Sequence, residues 1–181
     1  MSLTIRPSEA HDTPAILAIY AHAVLNTTNN FEFTPPDLAE MTRRREGVVL
    51  AGFPYLVAER EGSVLGYAYA APFRTRPAYR ASVENTIYIA PHAQRQGVGS
   101  ALLGALISTC EAMGMRQMVA IIGDPAVGGS RALHMKHGFR EVAYLPALAY
   151  KNGAWRDECF MQRGLGDGAQ TPPDWGKRSS S

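Results

Sequence analysis

Cysteine is scarce in this chain. There are two, Cys110 and Cys159, and they are not at metal-ligand spacing, which argues against a zinc module and a disulfide framework alike. One lies in a predicted helix and the other in a predicted strand, so both read as buried thiols of a reducing compartment. Excess charge is equally scarce. Eighteen Lys and Arg face sixteen Asp and Glu, a net charge of +2, too little for the basic footprint of a nucleic-acid binder. No apolar run of signal-peptide type stands at the N-terminus and none reaches membrane length, so the expectation is a cytoplasmic protein with no membrane partner. No internal repeat is found. What remains is 181 residues, 46% apolar and 19% charged, the profile of one globular domain with a sizeable core.

The most informative stretch runs from Val83 to Met113. A β-branched apolar run from Val83 to Ile89 stops at Pro91. A polar loop follows with two glycines, Gly97 and Gly99. Then Leu102, Leu103, Leu106, Ile107, Cys110 and Met113 recur with helical period. This reads as strand, glycine turn and helix. The turn from Gln94 to Ser100 leaves backbone N–H groups unpaired where the helix macrodipole is positive, a place that binds an anion, most often a phosphate.

The rest of the chain supplies a frame. Leu3 to Arg6 is a short strand. Asp12 and Pro14 open a helix with Ile16, Leu17, Ile19, Tyr20, Ala23 and Val24 inward. Asn26 to Phe33 is a polar loop that reads equally as a substrate wall or as a connector whose Phe31 and Phe33 pack on the core. Asp37 caps a second helix, with Leu38, Met41 and Val48 inward and Arg43, Arg44 and Arg45 on its wet face. Tyr55–Glu59 and Ser63–Ala70 form a hairpin. The loop from Phe73 to Arg80 carries Arg74, Thr75, Arg76 and Arg80, and such a basic loop suits a carboxylate or an oxidised phosphorus or sulfur group. Gln117 to Ile122 is an apolar strand, reached by the expected right-handed crossover. Ser130 caps a short helix that Gly138 ends. Phe139–Tyr150 and Ala154–Arg163 are two long strands joined by an Asn-Gly turn. The Gly-, Pro- and Ser-rich sequence from Gly164 on reads as a tail, giving a domain over residues 1–165 and a flexible segment over 166–181. The order of elements makes an α/β domain with a mixed sheet.

Q-x-x-G-x-G after a strand and opening a helix resembles the acetyl-CoA pyrophosphate loop of the GNAT N-acetyltransferases; it is neither a dinucleotide fingerprint nor a Walker A loop. Three further stretches resemble the phosphinothricin and methionine sulfoximine (or sulfone) acetyltransferase branch: GYAYAAPFRTRPAYRASVENTIYIAPHAQRQGVGSALL, SRALHMKHGF, and KNGAWRDECFMQ. The resemblance implies a GNAT fold, a mixed and mostly antiparallel sheet of about six to seven strands with four helices, and it spans roughly Thr4 to Leu165. It implies acetyl-CoA as co-substrate, no metal, and a homodimer. It places the pyrophosphate on Arg95, Gln96, Gly97, Val98, Gly99 and Ser100, and the pantetheine amides along Ile87, Tyr88 and Ile89, with a backbone N–H near Ile89 as oxyanion donor. One departure stands out. Where the family commonly has an Asn contacting the pantetheine arm, this chain has Val127, with Asp124 the nearest polar residue.

The chemistry needs a neutral amine. An α-amine of ordinary pKa is only about a tenth neutral at pH 7, so a proton acceptor contributes about a hundredfold or more. Glu84, a carboxylate inside a buried-looking strand, needs either a task or a salt bridge to Arg74, Arg76 or Arg80. His134 stands where the branch also has His and can act as acid or base; the alternative is a helix histidine bonded to backbone. His137 ranks below it. Arg74, Thr75 and Arg76, with Glu84 and Phe31, form the expected acceptor site, and Phe33 and Tyr79 can add walls. The expected activity is acetylation of the α-amino group of a small amino-acid analogue. A polyamine, antibiotic or protein N-terminus as acceptor, or a non-catalytic acyl-CoA sensor, are the competing readings.

Overall fold

A computed structural model describes residues 2–174. Its elements are β1 (Thr4–Pro7), α1 (Thr13–Asn26), α2 (Leu38–Leu50), β2 (Tyr55–Arg60), β3 (Ser63–Pro72), β4 (Ser82–Ile89), α3 (Val98–Ala112), β5 (Gln117–Gly123), α4 (Ser130–Lys136), β6 (Arg140–Lys151) and β7 (Ala154–Gly164). The seven strands form one sheet in the order β1-β2-β3-β4-β5-β7-β6. Every neighbouring pair is antiparallel except β4 and β5. That parallel pair needs a crossover, and α3 supplies it.

Two hairpins close as their sequences dictate. Glu61 and Gly62 both have positive φ, 54° and 76°, and so do Asn152 and Gly153, 52° and 76°. Such turns match the twist of the flanking strands. The core lies along α3, where Leu102, Leu103, Leu106 and Cys110 are fully buried. On the opposite sheet face Tyr67 stacks on Tyr55 and Tyr88, and α1 adds Tyr20 edge-on to Tyr88.

Several local expectations need correction. Asp12 stands at the N-cap of α1, but its carboxylate is taken by both terminal nitrogens of Arg6, at 2.8 Å each, and by the Glu9 N–H. Leu38 is exposed, because it opens α2 beyond the edge of the core. Arg45 is buried, not on the wet face: its guanidinium donates to the Ser8 hydroxyl at 2.9 Å and to the Ser8 carbonyl. Arg43 and Arg44 do stay outside, paired with Glu40. Met113 falls past the end of α3 and is partly exposed. Ser130 begins α4 rather than capping it, Gly129 being the cap.

The segment read as a tail from Gly164 is anchored where it begins. Gly164 is the last residue of β7 and Leu165 is fully buried. Arg116 donates to the Gly168 carbonyl at 3.0 Å and to the Thr171 carbonyl and hydroxyl at 2.9 and 2.7 Å. Residues 175–181 of that segment lie outside the described residues.

Candidate active site

The sheet forks. β4 pairs with β5 only from Ser82 to Asn85, opposite Gln117 to Ala120. Beyond Asn85 both strands continue, β4 still on β3 and β5 still on β7, but they part from each other. One arm is Thr86–Ile89 and the other Ile121–Gly123. The Ala90 N–H donates to the Leu65 carbonyl at 2.9 Å. Alternation along an antiparallel ladder therefore turns the N–H and C=O of Ile87 and Ile89 away from β3, into the gap. An extended amide chain can pair there as a partial strand.

A cavity of about 1160 Å³ passes through this fork. At one end it reaches the start of α3. Arg95 and Gly97 both have positive φ, 61° and 83°. Arg95 is the unusual one, since a side chain rarely adopts that conformation without a task. Such alternation of positive and negative φ at a helix N-terminus suits an anion, because it turns successive N–H groups toward one side. A Cβ on Gly99 would press on Leu133 at 3.2 Å, so a small residue keeps α4 close to the turn. Of the expected cofactor residues, Ile87, Tyr88, Ile89, Arg95, Gly97, Gly99 and Ser100 line the cavity. Gln96 does not: its amide donates to the His92 carbonyl at 2.7 Å and accepts from Arg60 at 3.1 Å. Val98 is buried in the core. The Ser100 hydroxyl lies 2.9 Å from His137 Nε2.

The two sheet faces differ at the fork. Asn85, Ile87 and Ile89 share one face with α3 and α4. Glu84, Thr86 and Tyr88 share the other with α1 and the loop after it. Glu84 forms no ion pair among the described residues, so the salt-bridge alternative with Arg74 or Arg76 is absent there. Burial pushes its carboxyl above the usual range, and the negative charge of Glu158 adds to this. Phe31 lines the cavity, and its ring, with the Asn29 carbonyl, fills the space over Gly123 where a Cβ would come to 2.8 Å of Phe31 and 3.0 Å of Asn29. The loop is thus a wall on Phe31, whereas Phe33 is 72% exposed.

His134 is 2% exposed. Its Nδ1 lies 2.8 Å from the Ser130 carbonyl, its Nε2 3.0 Å from Asn85 Oδ1. Asn85 in turn donates to the Val119 carbonyl at 3.2 Å. Two acceptors around the ring favour its charged form, but burial is the larger effect and pushes its pKa down. These contacts are those of a helix histidine tied to backbone, and Asn85 with His134 pins the base of the fork. His134 still borders the cavity.

Arg74, Thr75 and Arg76 are exposed and are not in the cavity wall. Arg74 stacks on the rings of Phe73 and Tyr79, 5.1 and 6.0 Å from their centres. Their loop leaves β3 at the closed end of the fork, where Ala71 opposes Glu84 and Pro72 opposes Val83. Asp124 is turned inward. Its carboxylate accepts from the Thr28 hydroxyl and from Arg156 at 3.3 Å, so it does not replace the polar residue that Val127 lacks. Asn29 and Ser130 border the cavity there instead.

Three residues escape a reading of the sequence. Lys151 is buried, and its ammonium donates to the Val24 carbonyl at 2.7 Å and to the Asn30 carbonyl, fastening the Phe31 loop to the end of α1. Asn30 donates to the Tyr88 hydroxyl at 2.8 Å. Glu158 lies on β7 at the cavity's edge. A lysine beside an Asn-Gly turn and a glutamate in a final strand look like surface residues, and only the register reveals otherwise.

The comparisons agree with this geometry. The sequence model of the acetyltransferase (GNAT) family matches residues 18–139. The chain belongs to the GNAT family. It is 47% identical over 171 residues to a phosphinothricin N-acetyltransferase of Alcaligenes faecalis, covering 94% of this chain and 87% of that one. It is 39% identical to an L-methionine sulfoximine/L-methionine sulfone acetyltransferase of Pseudomonas aeruginosa, covering 91% and 96%. Among solved structures, a GNAT superfamily phosphinothricin acetyltransferase from Sinorhizobium meliloti in complex with AcCoA superposes with a TM-score of 0.93 at 46% identity, covering 97% of this chain and 95% of that one. The seven-stranded, mostly antiparallel sheet with four helices is therefore a GNAT sheet, and this chain is an N-acetyltransferase by family.

Proposed function

We propose that this protein transfers the acetyl group of acetyl-CoA to the α-amine of a small amino-acid analogue of the methionine sulfoximine, methionine sulfone or phosphinothricin type. The carrying observation is the fork, with a phosphate-type turn opening from one sheet face and, on the other, a half-buried carboxylate, Glu84, that forms no ion pair among the described residues. Names of relatives at 39–47% identity support the acceptor class.

The donors present fit the co-substrate. The turn from Arg95 to Ser100 receives the pyrophosphate, and the Ile89 N–H with the inward C=O groups of Ile87 and Ile89 receives the pantetheine amides. Acetyl-CoA supplies the thioester. The Ile87 N–H, the inward donor nearer the base of the fork, polarises its carbonyl, and the raised pKa of Glu84 suits it to take the proton from the acceptor's ammonium, directly or through water. The neutral amine then bonds to the carbonyl carbon as the C–S bond breaks, and the proton that the nitrogen sheds on becoming an amide passes through water to the departing thiolate. His134 can return a proton to the sulfur only where Asn85 releases Nε2. Arg74, Thr75 and Arg76, on the loop that leaves β3 at the closed end of the fork, must turn inward to meet the acceptor's α-carboxylate, with Phe31 against its side chain.

We extend the reading to residues 1–165 as the catalytic domain and to a cytoplasmic homodimer. Among the described residues no helix is long and apolar enough to cross a membrane. β6 forms one edge of the sheet and, with β7, exposes Val142, Tyr144, Leu148, Tyr150 and Trp155, a strip that suits a second copy. The deciding experiment is thiol release from acetyl-CoA with methionine sulfoximine, methionine sulfone, phosphinothricin, spermidine and a short peptide side by side. Saturable turnover with the amino acids is expected. Turnover confined to spermidine or the peptide would overturn the acceptor class, and cofactor binding without any turnover would favour the sensor.

A further inference from the structure

Glu158 has no role in the chemistry above, yet its position is specific. In the sheet register Glu84 opposes Val119 and Glu158 opposes Gly123. Residues 119 and 123 are an even number apart, so the two carboxylates project from the same sheet face, the one bearing Phe31. Glu84 lies at the base of the fork and Glu158 lies beside its far arm, both in the wall of one cavity. Glu158 is half-buried and forms no ion pair among the described residues. The nearest cation on its strand, Arg156, is spent on Asp124 at 3.3 Å and on the Lys151 carbonyl at 3.2 Å. Lys151 is spent on carbonyls of α1 and its loop. A half-buried carboxylate left without a partner in a binding cavity costs free energy unless a ligand or water meets it.

We propose that Glu158 is a specificity-determining residue that meets the far end of the acceptor's side chain, favouring acceptors that end in an N–H donor or an uncharged group and opposing those that end in an oxyanion. With the amine drawn to Glu84, an amino acid lying along the face between the two carboxylates brings its side-chain terminus to Glu158. A sulfoximine offers an N–H to that carboxylate. A sulfone is neutral. A phosphinate brings a second negative charge, and like charges at close range in a partly desolvated site repel strongly. The inference rests on the amino-acid reading above and refines it to one chemical subclass.

The test is the ratio of kcat/KM for phosphinothricin to kcat/KM for methionine sulfone. It is measured in the full chain, in Glu158→Gln and in Glu158→Val, which remove the charge in two different ways, and in Glu158→Asp, which keeps it. Acetyl-CoA affinity, read by calorimetry, checks the fold of each variant. The ratio is expected to rise about tenfold on loss of the charge, a change of about 1.4 kcal/mol, and to move less than about threefold in the aspartate variant. A ratio that stays within about twofold of the unmodified protein in both neutral variants would overturn the role of Glu158 while leaving the function intact. Failure of the unmodified protein to acetylate either amino acid would instead overturn the acceptor class, and this inference with it.

Discussion

The two faces of the β4–β5 fork are built on different principles. On the face of α3 and α4 the site is made of backbone: a turn with two positive φ values, and the N–H and C=O groups of Ile87 and Ile89 turned into the gap. On the face of α1 it is made of side chains: Glu84, Glu158, Phe31 and Tyr88, held by a loop that Lys151 and Asn30 tie down. Backbone recognition suits a ligand that never changes, because the fold itself fixes the donors. Side-chain recognition suits one that varies, because a single substitution alters charge and shape without moving a strand. Under the proposed function the family's shared co-substrate belongs to the first face and acceptor choice to the second.

That division can be broken one face at a time. Glu84→Gln removes the proposed proton acceptor and should lower kcat by about a hundredfold or more, while acetyl-CoA affinity by calorimetry stays within about threefold, since Glu84 is on the other face. Gly97→Val attacks the opposite side. At φ 83° a β-branched residue is strained and the anion turn cannot hold its shape. The KM for acetyl-CoA should rise about tenfold, with the KM of the acceptor far less affected. Gly123→Ala places a methyl within 2.8 Å of the Phe31 ring and 3.0 Å of the Asn29 carbonyl, so the loop must shift. An increase of about fivefold in acceptor KM is expected, without loss of cofactor affinity.

The smallest effect is a displacement with pH. Burial and the charge of Glu158 both disfavour the ionised form of Glu84, so its protonated, inactive form persists above the ordinary carboxylate range. The acid limb of kcat/KM should lie correspondingly high. Glu158→Gln removes one of the two causes and should move that limb to lower pH. The nearby cations leave this expectation unchanged in sign, because Arg156 is paired with Asp124 and Lys151 with backbone carbonyls.

The backbone-built face was the legible one. A glycine turn between a strand and a helix has a local signature, and so does the crossover to an apolar strand. The side-chain face was legible only at Glu84, where a charge interrupts an apolar run. Glu158 and Lys151 sit in sequence surroundings that read as surface, and what gives them a task is long-range register, namely Gly123 opposite Glu158 and Lys151 reaching Val24. Arg45 was misplaced for the same reason, since its partner Ser8 lies on a distant segment. His134 lies in the short helix that the sequence predicts, but its neighbour is not legible there: Asn85, one residue past Glu84, meets it from β4. Sequence periodicity shows which face a residue occupies but not which distant group awaits it there.

The most direct test is a crystal structure of the complex with CoA and L-methionine sulfone. The pyrophosphate is expected against the N–H groups of Arg95 to Ser100, the pantetheine along Ile87 and Ile89, and the sulfone on the α1 face with its α-amine in hydrogen-bond reach of Glu84. An acceptor bound on the α3 and α4 face, or one whose amine lies away from Glu84, would contradict this placement.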